Sequence, residues 1–173
     1  MFFSCQQEEL SSDDSVNGEA AKKTDIHGHA YGTITSEMVL RWNEAGTEAV
    51  ANVGNLPPMP ESRIYAMVNV AMHDALNNIV PRYQTYALKN ARDKDADANA
   101  AVAQAAHDVI VDQLPPQQVF ADNLLNVSLA SIADGNSKTK GIALGKAAAK
   151  AILDLRANDG AATAQTAYVQ GTL

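Results

Sequence analysis

The sequence predicts an all-α fold, a helical bundle of about five helices behind a disordered N-terminal tether. Three observations carry that prediction. Hydrophobic residues make up 46% of the 173 residues but aromatics only 5%, so alanine and aliphatic side chains must build the core. Alanine-rich composition favours helix and helix–helix packing. Apolar residues recur at helical spacing in five stretches, each bounded by Gly, Pro or Asn signals.

The length fits one ordinary domain. Residues 1 to 33 lack sustained apolar periodicity and read as a flexible tether with a His27-Gly28-His29 turn near its end. The first helix is expected from Ser36 to about Val53, with Thr35 or Ser36 capping it through a hydroxyl. Met38, Trp42, Ala45 and Ala49 form its apolar face. Gly54-Asn55 and Pro57-Pro58 end it.

Pro60 to Tyr83 reads as the central helix. Pro60 suits the first turn and Glu61 the positive end of the helix dipole. Ile64, Val68, Ala71 and Ala75 form one apolar row, and Met72, Leu76 and Ile79 the adjacent one. Ser62, Asn69, His73 and Asn77 make a narrow polar stripe between wide apolar faces, so neighbours are expected on several sides. Pro81 stops this helix. Residues 84 to 97 include Arg92-Asp93-Lys94-Asp95 and read as a solvated, charged connection.

A third helix is expected from Ala98 to Gln113, a break at Pro115-Pro116, and a fourth helix from there to about Ile132. Phe120, Leu124 and Val127 lie beside Leu125, Leu129 and Ile132 on that fourth helix. Asp134-Gly135-Asn136 is a turn signal. The fifth helix runs from about Ser137 to Asn158. Gly141, Gly145 and Ala149 leave a groove on it where another backbone can approach closely. The bundle domain thus spans 34 to 160, and 161 to 173 begins a further connection.

The net charge of -7 argues against a nucleic-acid partner, because phosphate contacts need clustered Lys and Arg. A single cysteine, Cys5, excludes an internal disulfide. Met1-Phe2-Phe3-Ser4-Cys5 looks like the end of a bacterial lipoprotein signal, and the polar, acidic QQEELSSDDSVNGEAAKK after it suits a tether. Cys5 is therefore a candidate lipidation site. It implies membrane attachment through lipid and a place in the bacterial periplasm or cell envelope. A full signal also needs a basic segment and an apolar core of about 7–15 residues, which Met1 to Phe3 do not supply.

His-Asp doublets are the candidate chemistry. His73-Asp74 and His107-Asp108 lie on different helices, and imidazole with carboxylate suits a hydrolytic divalent metal. Helix neighbours point about 100° apart, so each doublet gives only part of a site. A structural polar seam of His73, Asp74 and His107 is the simpler reading. The alternative is a metal phosphohydrolase in which His73, Asp74, His107 and Asp108 converge. The chain contains no GxSxG, P-loop, GxGxxG or HExxH element. It offers no catalytic, cofactor-binding or metal residue by motif.

Several segments in order resemble a known family. Leu40-Arg41-Trp42-Asn43 precedes a Pro-rich break. Then come Arg63-x-Tyr65-Ala66-Met67-Val68-x-x-Ala71-Met72-x-Asp74-Ala75-x-Asn77-x-Ile79, Ala105-Ala106-His107, the Leu114-Pro115 break, Gly141-Ile142-Ala143-x-Gly145 and Arg156-Ala157-Asn158-Asp159-Gly160. Together these resemble the N-terminal helical region of bacterial vanadium-dependent haloperoxidase-like proteins, in the type 2 phosphatidic acid phosphatase superfamily. The resemblance implies a scaffold half that packs against C-terminal catalytic helices. Those helices would hold vanadate or phosphate, for halide oxidation with peroxide or phosphate ester hydrolysis. The family's Lys, Arg-Pro and Ser-Gly-His elements do not occur in this chain, so no catalytic residue carries over and the chain alone is expected to be inactive. It also implies an uncovered apolar face, expected on the second or fifth helix. The competing expectation is a self-standing, lipid-tethered binding module whose apolar faces are already covered.

Overall fold

The computed structural model describes residues 36–161 and 163. The tether, His27, His29, Cys5 and residues 164–173 lie outside the described residues. Those described form five helices and one short 3-10 turn, with no strand among them: α1 (Glu37–Val53), α2 (Pro58–Ile79), α3 (Ala98–Gln113), the 3-10 turn (Pro115–Gln117), α4 (Gln118–Ala130) and α5 (Asn136–Arg156). The all-α reading holds. No described helix is long and apolar enough to cross a membrane.

Two element starts differ from the sequence reading, each for a backbone reason. Helix α2 begins at Pro58, because a proline in the first turn lacks only an N–H that would be unpaired anyway. Pro115 and Pro116 form the 3-10 turn, so α4 starts at Gln118. Ser36 does flank α1, but its side chain makes no capping bond; its carbonyl accepts from the Leu40 amide at 2.9 Å.

The central helix is α3, not α2. It touches every other helix, whereas α2 touches α1, α3 and α5. Its row of small residues, Ala98 to Ala106, is buried on almost every side, and that smallness lets four helices approach it. Helices α1 and α2 form an antiparallel pair in which the Asn69 side-chain amide donates to the Asn43 side-chain Oδ1 at 3.1 Å. The only tryptophan, Trp42, is fully buried at the α1–α3 contact.

Helix α5 runs parallel to α3 in close backbone contact. A Cβ on Gly141 would overlap the Asp97 carbonyl oxygen, and one on Gly145 would lie 2.5 Å from that of Ala101. Glycine is required at both places, as the small-residue groove predicted. The two helix starts are also tied: the Asp97 side chain accepts from the Ala100 amide at 2.8 Å, and the Asp97 amide donates to the Ser137 carbonyl at 2.9 Å.

The apolar rows of α2 are covered, with Ile64, Met67, Val68, Ala71, Met72, Ala75 and Ile79 all buried. The uncovered face expected on α2 is therefore absent. Large exposed apolar side chains sit instead on α4, at Val119 and Val127, and on the rims of α2 and α5, at Met59 and Leu155. Helix α4 buries only Ala121 and Ser128.

Candidate functional site

The end of α2 carries a cluster of polar residues that fix the following loop. Asp74 is completely buried. Its carboxylate accepts three backbone N–H groups, from Tyr86 at 2.7 Å, Ala87 at 2.6 Å and Leu88 at 2.7 Å. A buried carboxylate is tolerated when its oxygens are satisfied in this way. One turn on, Asn77 accepts from the amides of Arg82 and Tyr83. Asn78 accepts from the Ala91 amide and donates to the Leu88 carbonyl. Residues 82 to 91 are thus held from within, and Lys140 adds contacts to Asp93 and Asp95 at 3.1 and 3.2 Å. These carboxylates, Asp93 first, raise the Lys140 ammonium above its usual range against a small opposing cost of burial. The charged connection is solvated as read, with Arg92, Lys94 and Asp95 exposed, and its backbone is in addition pinned from within.

His73 lies at the edge of this cluster. Its Nε2 meets the Gln84 carbonyl at 3.0 Å, and the Asn77 side-chain amide meets its Nδ1 at 3.3 Å. A shallow, open hollow of about 560 Å³ beside it is lined by Asn69, Val70, His73, Gln84, Thr85 and Tyr86.

His107 sits on α3 in different company. Nδ1 is 2.7 Å from Asp108 on the same helix, and Nε2 is 2.7 Å from Asp122 on α4. Gln104 donates to the same Asp108 oxygen at 2.7 Å. The ring meets Trp42 edge-on, with centroids 6.3 Å apart. Burial disfavours the charged ring, but the bonds to Asp108 and Asp122 and their negative charge outweigh it, so its pKa is raised.

In these placements each residue has structural partners of its own, and the alternative in which the two doublets converge on one ion is not seen among the described residues. Asp74 faces the loop, His73 faces Gln84 and Asn77, and His107 faces α4. Asp108 and Asp122 lie on opposite nitrogens of the His107 ring and so share no point for an ion. Among the described residues, no group of three or more His, Cys, Asp or Glu could hold a metal.

A second node joins residues far apart in sequence. Arg63 on α2 donates through Nε to Asp159 at 3.0 Å, through Nη1 to Gln113 at 2.7 Å and through Nη2 to the Arg156 carbonyl at 3.0 Å. Arg156 in turn donates to the Tyr86 hydroxyl at 2.7 Å, with its guanidinium 5.6 Å from that ring's centre. Arg63 above all, with the Ala161 amide and Arg156, holds the Asp159 carboxyl below its usual range. The node closes one side of a groove of about 940 Å³ between the start of α2 and the ends of α3 and α5. Leu56, Met59, Ile64 and Leu153 supply its apolar lining.

No protein-family profile, characterised protein or solved structure matches this chain. The chemistry of the residues therefore has to decide. Vanadate or phosphate requires several cationic or N–H donors converging on one point. Arg63, the cation at the groove, uses all three of its guanidinium nitrogens on protein acceptors. Lys138, Lys140 and Lys150 each meet carboxylates of their own. These residues do not form an oxyanion cradle.

Sequence reasoning missed Arg63, Gln113 and Asp159 as a unit, and Asp122 as the partner of His107. Arg63 and Asp159 are separated by 96 positions, and no local periodicity links them. Asp122 had a local signal, since it is a lone acid on an otherwise uncharged helix, but its partner could not be read from the pattern.

Proposed function

We propose that these helices act as a scaffold through packing rather than through chemistry of their own. In this reading they support a separate helical segment of the haloperoxidase or acid-phosphatase type, which supplies the oxyanion cradle and the reaction with halide or phosphate ester. The observation that supports the reading is the use of the polar residues that carry the family resemblance. Arg63 bonds across to Arg156 and Asp159, so two segments of the resemblance meet in one node. Asp74 and Asn77 hold a loop, His107 bonds α4, and Gly141 and Gly145 admit α3. Each holds the scaffold together; Arg63, Arg156 and Asp159 border one groove, but there they bond to one another. In the complete assembly, vanadate would belong to the supported segment. Lipid on Cys5 would hold the scaffold at the cell envelope.

A second reading, a self-standing helical binding module, is favoured by the burial of the α2 rows, in which only Leu76 is partly exposed. Reading the genomic DNA on both sides of the coding segment separates the two. The scaffold reading requires, in the same or an adjacent frame, a helical segment with the Lys, Arg-Pro and Ser-Gly-His elements. A genomic neighbourhood without them supports the binding module and removes the first reading. Mass spectrometry of the protein from its native envelope tests lipid on Cys5.

A further inference from the structure

We propose that His107 is a protonation-dependent clasp that holds α4 on α3 and releases it as the pH rises. The argument begins with hydrogen-bond inventory. A neutral imidazole has one N–H, and an ionised carboxylate can only accept. Both ring nitrogens of His107 lie 2.7 Å from carboxylate oxygens. Two ionised carboxylates at these distances are satisfied together only by an imidazolium, which donates from both nitrogens. Loss of one proton must turn one of the two short contacts into lone pair against lone pair.

The contact at risk is the one that crosses between helices. Asp108 is a chain neighbour of His107 and is also held by Gln104, whereas Asp122 belongs to α4. The other anchors of α4 are apolar: it fully buries only Ala121 and Ser128, packs Phe120, Leu124 and Leu125 partly buried against the core, and leaves Val119 and Val127 exposed. The buried Ser128 hydroxyl finds no hydrogen-bond partner among the described residues. Asp108 and Asp122 are the charged groups that act on the ring. Helix α1 presents the neutral Trp42 there, and α5 approaches the same stretch of α3 through Gly145, at Gln104 and Ala105.

The direction follows from linkage. The folded pKa of His107 is raised above 6.5, so its contribution is complete below the unfolded value and disappears as pH climbs through the folded one. Helix α4 is therefore firmly docked below the unfolded value of 6.5 and loosens as pH rises through the raised folded one. Its release would uncover the α1–α3 surface around Trp42.

The test follows the ¹⁵N-labelled full chain by NMR from about pH 5 to about pH 10. It records the protonation of both His107 ring nitrogens together with amide protection factors, which remove the intrinsic pH dependence of exchange. The expected result is a doubly protonated ring that titrates above 6.5. Protection across α4 should fall about tenfold through that titration, the scale of one charge-assisted bond, while α3 stays protected. In Asp122→Asn, whose site is half exposed, the titration should move down and the α4 step should flatten. A merely structural contact would not move the titration. A ring that titrates at or below 6.5, α4 protection that is flat through the transition, or an unchanged step in Asp122→Asn overturns the proposal.

Discussion

Replacing Gly145 by alanine tests the packing of the bundle where α5 meets α3 in close backbone contact. The added Cβ would stand 2.5 Å from the Ala101 carbonyl oxygen, 2.7 Å from Gln104 Cβ and 3.0 Å from the Ala105 nitrogen. Ordinary contact begins near 3.4 Å, so α5 must retreat by roughly 1 Å from a helix buried on nearly all sides. Two of the three obstructing atoms are backbone and cannot turn aside. Overpacking of this kind costs about 1–3 kcal/mol, against a gain of about 1 kcal/mol in helix propensity. Because backbone atoms obstruct, the cost lies at the upper end of that range, and the net loss should approach about 2 kcal/mol, seen as a fall in Tm of about 4–8 °C. Gly46→Ala is the matched control. Its nearest obstacle is Val68 Cγ1 at 3.7 Å, an ordinary contact, so propensity alone should act and raise stability by up to about 1 kcal/mol. Urea unfolding followed by circular dichroism measures both, with the slope of the transition checked for constancy. If Gly145→Ala is neutral or stabilising, or if the two variants shift stability the same way, the reasoning about α3 and α5 is wrong.

Other consequences are equally specific. Asp74→Ala leaves three part-buried N–H groups without their acceptor and should destabilise by about 3 kcal/mol, whereas Asp74→Asn, which keeps one acceptor oxygen, should lose less. Limited proteolysis should show the first variant cut faster at Arg82 and Tyr86. Arg63→Gln should speed amide exchange over the last turn of α5, because the Arg156 carbonyl and Asp159 lose their common donor. Because Arg63 depresses the Asp159 pKa, the latch is intact above the ordinary carboxylate range and weakens as pH falls through the lowered value. Exchange at the end of α5 should therefore rise in acid in the parent chain and change less in Arg63→Gln.

The helices were legible because their signals are local. Pro81 and Pro115-Pro116 mark breaks, and Gly141 and Gly145 mark a close approach, each within one or two turns. The rank of the helices was less legible. Pro60 to Tyr83 has the bolder amphipathic pattern, but the alanines of α3 decide which helix can be surrounded, and small residues give a weak periodic signal. The polar residues were the hardest to read. His73-Asp74 and His107-Asp108 look alike as doublets, yet one aspartate pins a loop and one histidine joins two helices. That difference is set by residues brought near only by folding, such as the Leu88 amide and Asp122. The Arg63–Asp159 contact depends on the same long-range closure.

The central claim is that the polar residues of these helices hold the fold and do not form an oxyanion cradle. Orthovanadate titrated into the purified full chain and followed by ⁵¹V NMR tests it most directly. The account predicts no saturable, stoichiometric binding by the chain alone. Binding that saturates at one vanadate per chain and is lost in a still-folded Arg63→Gln variant would contradict it.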